Sequence, residues 1–165
     1  MPRFIYLIFA LALWALPINA DQARADEIFL TEGEVEILQL ELDAMVALAK
    51  GKNKSAVSLM RKAVALEQKL PFKYGPPRLS KSTHELLGDV LAEAGEYELA
   101  VQAYEAELVN SLRRTNSLLG LARASAAHGD QPKSKNAYKQ LTEIWHGADP
   151  SFDLAEEARS VTKGN

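Results

Sequence analysis

An all-α stack of paired helices is the fold class this sequence predicts, and two observations carry the prediction. The stretches around Gly95 and Gly129, 34 residues apart, match position by position: Leu87 falls on Leu121, Gly88 on Ala122 and Tyr104 on Tyr138. Within each copy, apolar residues recur at helical spacing on both sides of the glycine, so one copy reads as helix, stop and helix. The small residues Gly88 and Ala122 mark the place where two such helices approach closely.

Residues 1–20 stand apart from the repeats. Arg3 gives a positive start, Phe4 to Leu16 is an unbroken apolar run, Pro17 ends it, and Ala20 is a small residue suited to cleavage. That order is the pattern of a secretory signal peptide. Thirteen apolar residues fall short of the ~20 needed to span a bilayer, which argues against a retained anchor. A second small-x-small site, Ala23-Arg24-Ala25, leaves cleavage after Ala20 and after Ala25 both open. The expected product is exported, periplasmic or secreted, with no stable membrane span once the leader is gone, and residues 21–33 form a lead-in.

The first repeat unit, 34–70, has Leu38, Leu42, Met45, Val46 and Leu48 before Gly51, then Asn53 as a cap and Ala56, Val57, Met60, Ala63 and Val64. Gly51 lies 44 residues before Gly95, ten more than the period. The surplus is 71–80, whose three prolines and one glycine forbid continued helix and predict an inserted loop. Unit two, 81–114, opens with Ser82 as cap and Glu85 placed to reach back to it. Leu86, Leu87, Val90, Leu91 and Ala94 follow, Gly95 stops the helix, and Leu99, Ala100, Ala103, Tyr104 and Leu108 stripe its partner. Unit three, 115–147, repeats this with Leu118, Leu121, Ala122 and Ala126, a stop at Gly129, Asp130 as cap and Pro132 in the first turn. Its second helix turns Ala137, Tyr138, Leu141, Ile144 and Trp145 inward. A stack of repeats leaves an apolar end face, and 149–163, with Phe152, Leu154, Ala155, Ala158 and Val161 inward, is the expected capping helix.

The period, with Leu87-Gly88, Ala100 and Tyr104 in one copy, Leu121-Ala122, Ser134 and Tyr138 in the next, and Ala44, Ala56 and Ala63 in the first, resembles the tetratricopeptide repeat over residues 34–147. The stretches Tyr74-Gly75-Pro76-Pro77, His84 to Gly88 and Ser117 to Arg123 also resemble the C-terminal part of uncharacterised bacterial exported proteins of that kind. The resemblance implies an α-solenoid of about three helical hairpins with a C-terminal capping helix. It also implies a concave groove lined by the first helix of each unit, which by register contains Glu41, Met45, Glu85, Asp89, Glu93, Asn116, Leu119 and Arg123. The carboxylate-clamp version of the family requires Lys and Asn where this chain has Glu41 and Met45, so that peptide specificity is not expected.

Several function classes lose support from composition. The chain carries 19 basic and 22 acidic side chains, and losing Arg3 with the leader moves the net charge from −3 to −4. No basic cluster exists to neutralise phosphates, so nucleic acid is not an expected partner. There is no cysteine, which excludes thiol chemistry and disulfides. His84, His128 and His146 are 44 and 18 residues apart, not a metal-ligand spacing on one helix face. No phosphate-binding glycine loop and no nucleophile elbow occur. No catalytic residue, metal or cofactor is therefore assigned.

The expected role is a non-catalytic adaptor of the bacterial cell envelope that binds a protein or peptide. Glu85, Asp89 and Glu93 recur every four residues and predict an acidic strip that favours a Lys- or Arg-bearing ligand, with Arg123 opposite to hold a carboxylate. Phe72 and Tyr74 in the inserted loop are candidate apolar contacts, as loops in compact arrays often bind. Two rival readings stand beside it. One is self-association into a homo-oligomer through the face of residues 34–50, and the other is an enzyme using carboxylates such as Glu85 and Asp89 in the groove.

Overall fold

The computed structural model describes residues 31–71 and 81–163. The stretch expected to be a leader, residues 1–20, and the loop residues Phe72 and Tyr74 lie outside the described residues. The described helices form one array within the compact unit Gly33–Asn165. Its helices are α1 (Glu32–Ala49), α2 (Asn53–Glu67), α3 (Thr83–Glu93), α4 (Tyr97–Asn110), α5 (Thr115–His128), α6 (Gln131–Ile144) and α7 (Asp153–Lys163). From α2 onward each helix packs on the next, α3 also touches α5, and the fold is all-α with tetratricopeptide-like hairpins in sequence. No helix among the described residues is long and apolar enough to cross a membrane.

The three glycine stops share one geometry. Gly51, Gly95 and Gly129 have φ of 69°, 81° and 94°, a left-handed conformation in which a Cβ is strained. After each, the next amide donates back five residues: Lys52 to the Ala47 carbonyl, Glu96 to Leu91 and Asp130 to Ser125, at 2.8 to 2.9 Å. This pairing closes the last turn and sends the chain into the next helix. The identical bond after Gly51 makes α1 and α2 a hairpin of the same design as the other two.

The other ends are less uniform. Asp130 accepts from the Lys133 amide at 3.0 Å, as a cap should. Ser82 accepts from the Glu85 amide at 3.4 Å, but the Glu85 side chain does not return to the cap because it is drawn into the core. Asn53 is the first residue of α2 rather than its cap, and Lys52 in the cap position makes no side-chain bond there. The capping helix starts later than residue 149. Asp149 accepts from both the amide and the hydroxyl of Ser151, at 2.8 and 2.6 Å, and this local turn competes with helix until Asp153.

Two apolar clusters hold the array. Ala44 and Ala47 of α1, Ala56 and Met60 of α2 and Val90 of α3 form the first. The second runs from Leu91 on α3 to Ala158 on α7, with Leu118 and Leu141 fully buried. Each such leucine contributes ~1.5–3 kcal/mol by burial. Alanine is frequent in both clusters, which lets helix axes draw together. At the C-terminal end Trp145 meets Phe152 edge-on, with centroids 5.2 Å apart at 83°, and Ala155 and Ala158 seat α7 on α6.

Tyr104 is the central wedge. Its ring lies against Gly88 of α3 and Gly120 of α5, so closely that a Cβ on Gly88 would stand 2.6 to 2.8 Å from three ring carbons. Its hydroxyl donates to Asp89 Oδ1 at 2.7 Å. Gly88 is thus a close-approach residue, and Gly120 is a second one that the repeat register does not single out.

Candidate functional site

A cleft of about 560 Å³ opens between α3 and α5, with the start of α4 at one side. Its floor is Tyr104, Leu119, Gly120 and Ala124, all buried or nearly so. Ala92 lies beside them. The exposed rim is Glu93 from α3, Tyr97 from α4, and Asn116, Arg123 and Ala127 from α5. The volume is within the ~300–1,000 Å³ of ligand-binding clefts, and the floor is mostly small or apolar.

Of the eight groove residues expected from sequence, Asp89, Glu93, Asn116, Leu119 and Arg123 line this cleft. Glu41, Met45 and Glu85 do not. Glu41 and Glu85 share one helical register position with Leu119, and the three are 9%, 1% and 8% exposed. Leu119 reaches the cleft floor from that position, whereas the Glu85 carboxylate is held by donors from Arg114 and Ser117. Glu85 is therefore a core residue and not part of an acidic strip. Its Oε2 accepts from Arg114 Nε and from Ser117 Oγ, each at 2.6 Å. Arg114 Nε also lies 3.8 Å from Glu107, another buried carboxylate, which in turn accepts from the Ser82 hydroxyl. Helices α3, α4 and α5 are thus joined beneath the cleft by charge-assisted bonds. Glu41 sits at the α1 end of the row, and burial pushes its carboxyl above the usual carboxylate range.

The next position along each first helix, Met45, Asp89 and Arg123, faces outward, but its two charged members are already engaged. Asp89 accepts from Tyr104 and pairs with Lys81. Burial first, and the Asp89 carboxylate second, push the Tyr104 phenol far above its ordinary value, so it stays a donor. Arg123 was expected to hold a ligand carboxylate, yet it grips Glu157 of α7 in a fork, Nε to Oε1 at 2.9 Å and Nη2 to Oε2 at 2.5 Å. The guanidinium holds the Glu157 carboxyl below its usual range. Tyr138 donates to the same carboxylate at 2.6 Å, and burial together with that bond pushes its phenol up to about 12. The Glu93 side chain makes no hydrogen bond or ion pair among the described residues. Met45 is 44% exposed and forms an apolar stripe on α1 with Val35, Leu42 and Val46.

Sequence reasoning missed Ala92, Tyr97, Tyr104, Gly120, Ala124 and Ala127 as cleft residues. Gly120 carried a readable signal, because a glycine inside a helical pattern costs ~1 kcal/mol against alanine and is kept where something approaches closely. Among the described residues no group of three metal-ligating side chains comes together. Phe72 and Tyr74 lie outside the described residues.

No protein-family model matches the chain, and no curated protein matches it. Solved structures do. PcrH from Pseudomonas aeruginosa superposes with a TM-score of 0.59 at 18% identity, over 82% of this chain and 94% of that one. The Yersinia enterocolitica type III secretion translocator chaperone SycD, in a structure described as an alternative dimer, gives 0.59 at 18% identity, over 78% and 89%. At this identity the likeness is one of fold, and the fold it describes is the helical array built above.

Proposed function

We propose that this protein is a non-catalytic adaptor that binds a segment of another protein in the cleft between α3 and α5. The observation that carries the reading is the cleft itself, a concave surface with a small apolar floor and a polar rim, fixed from below by the Glu85, Arg114, Ser117 and Glu107 bonds. A rigid, preformed surface spends little on ordering when a flexible segment docks. The fold likeness to a protein described as a translocator chaperone fits a protein-binding use. The carboxylates that an enzyme would need do not converge: Glu85 is locked beneath the cleft, and Asp89 is bound to Tyr104 and Lys81. The leader pattern of residues 1–20 supports work in the bacterial cell envelope. Photo-crosslinking in the producing cells tests the reading. A photoreactive side chain at Asn116 or Ala127 should trap a partner, whereas one at exposed Lys139 should not; equal trapping at all three positions would defeat it.

A second reading rests on a separate observation. Val35, Leu42, Met45 and Val46 are 53%, 59%, 44% and 43% exposed along one side of α1, an apolar stripe at helical spacing. Self-association through this face would cover it. Leu42→Glu together with Met45→Glu should then lower the mass in light scattering to that of one chain, and an unchanged mass would remove this reading.

A further inference from the structure

Charge is unbalanced at the cleft rim. Arg123 is neutralised by Glu157 and Asp89 by Lys81, which leaves the Glu93 carboxylate as the rim charge with no partner among the described residues. Tyr97 lies four residues on, past the Gly95 turn, lines the same cleft and is 38% exposed. A carboxylate and an open aromatic ring on one rim are the two groups that attract an alkylammonium or guanidinium. The neighbouring surface suits the stem of such a side chain. Ala92, Gly120, Ala124 and Ala127 project almost nothing into the cleft, so a Lys or Arg stem can lie along them with its head at the rim.

We propose that the cleft recognises a basic segment of its partner, seating one Lys or Arg side chain between Glu93 and Tyr97 with its aliphatic stem on the small-residue floor. This rests on the cleft being the binding site. It narrows the expected acidic strip of three carboxylates to one, because the fold uses Glu85 and Asp89 internally. The rim pair sets which segment is accepted, and the apolar floor supplies contact area.

The test uses the full chain as isolated from the cell, labelled with nitrogen-15, and two blocked hexapeptides of sequence Gly-Ala-Leu-Xaa-Ala-Gly with Xaa as Lys or Gln. Amide shifts of Leu119, Gly120, Ala124 and Ala127 are followed during titration. The Lys peptide should saturate them at a concentration at least about five-fold lower than the Gln peptide, and that preference should shrink as salt is raised. Glu93→Gln should abolish the preference, and a preference that survives this change would overturn the proposal. Glu96→Gln, which removes a nearby exposed charge outside the cleft, should keep the preference, and its loss there would overturn the proposal in favour of a general field effect. Equal binding of both peptides at the cleft amides would also overturn it while leaving the cleft as a peptide site. Absence of any shift at those amides with either peptide would bring down both.

Discussion

Replacing Gly88 or Gly120 with alanine should destabilise this protein, although the same change in an unobstructed helix interior stabilises. The helix-propensity gain is ~0.8–1 kcal/mol. Against it, the new methyl at Gly88 would stand 2.6 to 2.8 Å from three carbons of the Tyr104 ring, where ordinary contact is 3.4 to 4 Å, and the fit at Gly120 is tighter still. Overpacking of this kind costs ~1–3 kcal/mol, because the ring is held by its hydroxyl on Asp89 and cannot swing aside without breaking that bond. The net expectation is a loss of up to ~2 kcal/mol, or several degrees at ~2–4 °C per kcal/mol for a chain of this size. Thermal unfolding followed by circular dichroism reads it out. The decisive arm is a Tyr104→Met background, which places at Tyr104 the flexible residue that Met60 supplies at the same register in the first hairpin. There the methyl meets a side chain that can yield, and either glycine replacement should be neutral or stabilising. A higher melting temperature for Gly88→Ala beside Tyr104, or an equal loss in both backgrounds, would refute the wedge argument.

Four further outcomes are expected, three from the structure and one from the sequence of the first 25 residues. Ala122→Leu, at a site with no exposure, should cost ~1–3 kcal/mol in a urea unfolding curve. Arg114→Met should strand the Glu85 carboxylate and cost ~3 kcal/mol, the low end for a broken buried pair because Arg114 keeps 24% exposure. Glu41 has a folded-state pKa raised above its ordinary 4.5 by burial, so the folded state loses stability as pH rises through that raised value. Glu41→Gln should therefore gain stability over the natural protein as pH climbs above about 4.5 and lose that gain below it, which melting curves from pH 4 to 7 would show. On the leader reading, terminal sequencing of the protein isolated from the producing cells should find Asp21 or Asp26 first, and an intact Met1 on a membrane-bound product would contradict it.

The hairpins were legible because local chemistry determines them. Gly51, Gly95 and Gly129 each sit where a left-handed residue closes a helix, and the apolar residues before and after each repeat at 3.6-residue spacing. What the sequence hid at the helix ends were competitions. Asn53 lost the cap position to Lys52, and Asp149 formed its own turn with Ser151 before α7 could begin. Such contests set a short polar side chain against the backbone for the same hydrogen bonds, and residue preference alone does not say which wins.

The groove was half legible for a deeper reason. Helical spacing places Glu85, Asp89 and Glu93 on one side of α3, but it does not say at what depth that side meets the neighbouring helices. Depth depends on residues brought from elsewhere: Arg114 and Ser117, 29 and 32 positions further along, supply the donors that make Glu85 tolerable as a buried charge. Without them a carboxylate there would have to face water. The repeat itself held the clue, since Glu85 falls in register with Leu119, and a site that takes leucine in one unit is a buried site in the other. One consequence bears on mutational tests of the groove. Charge reversal at Glu85 strikes the bonds that fix α3, α4 and α5 under the cleft and would unfold the floor before it reported on a ligand. Glu93 is the rim acid whose reversal changes the surface potential while leaving the internal bonds of the array intact.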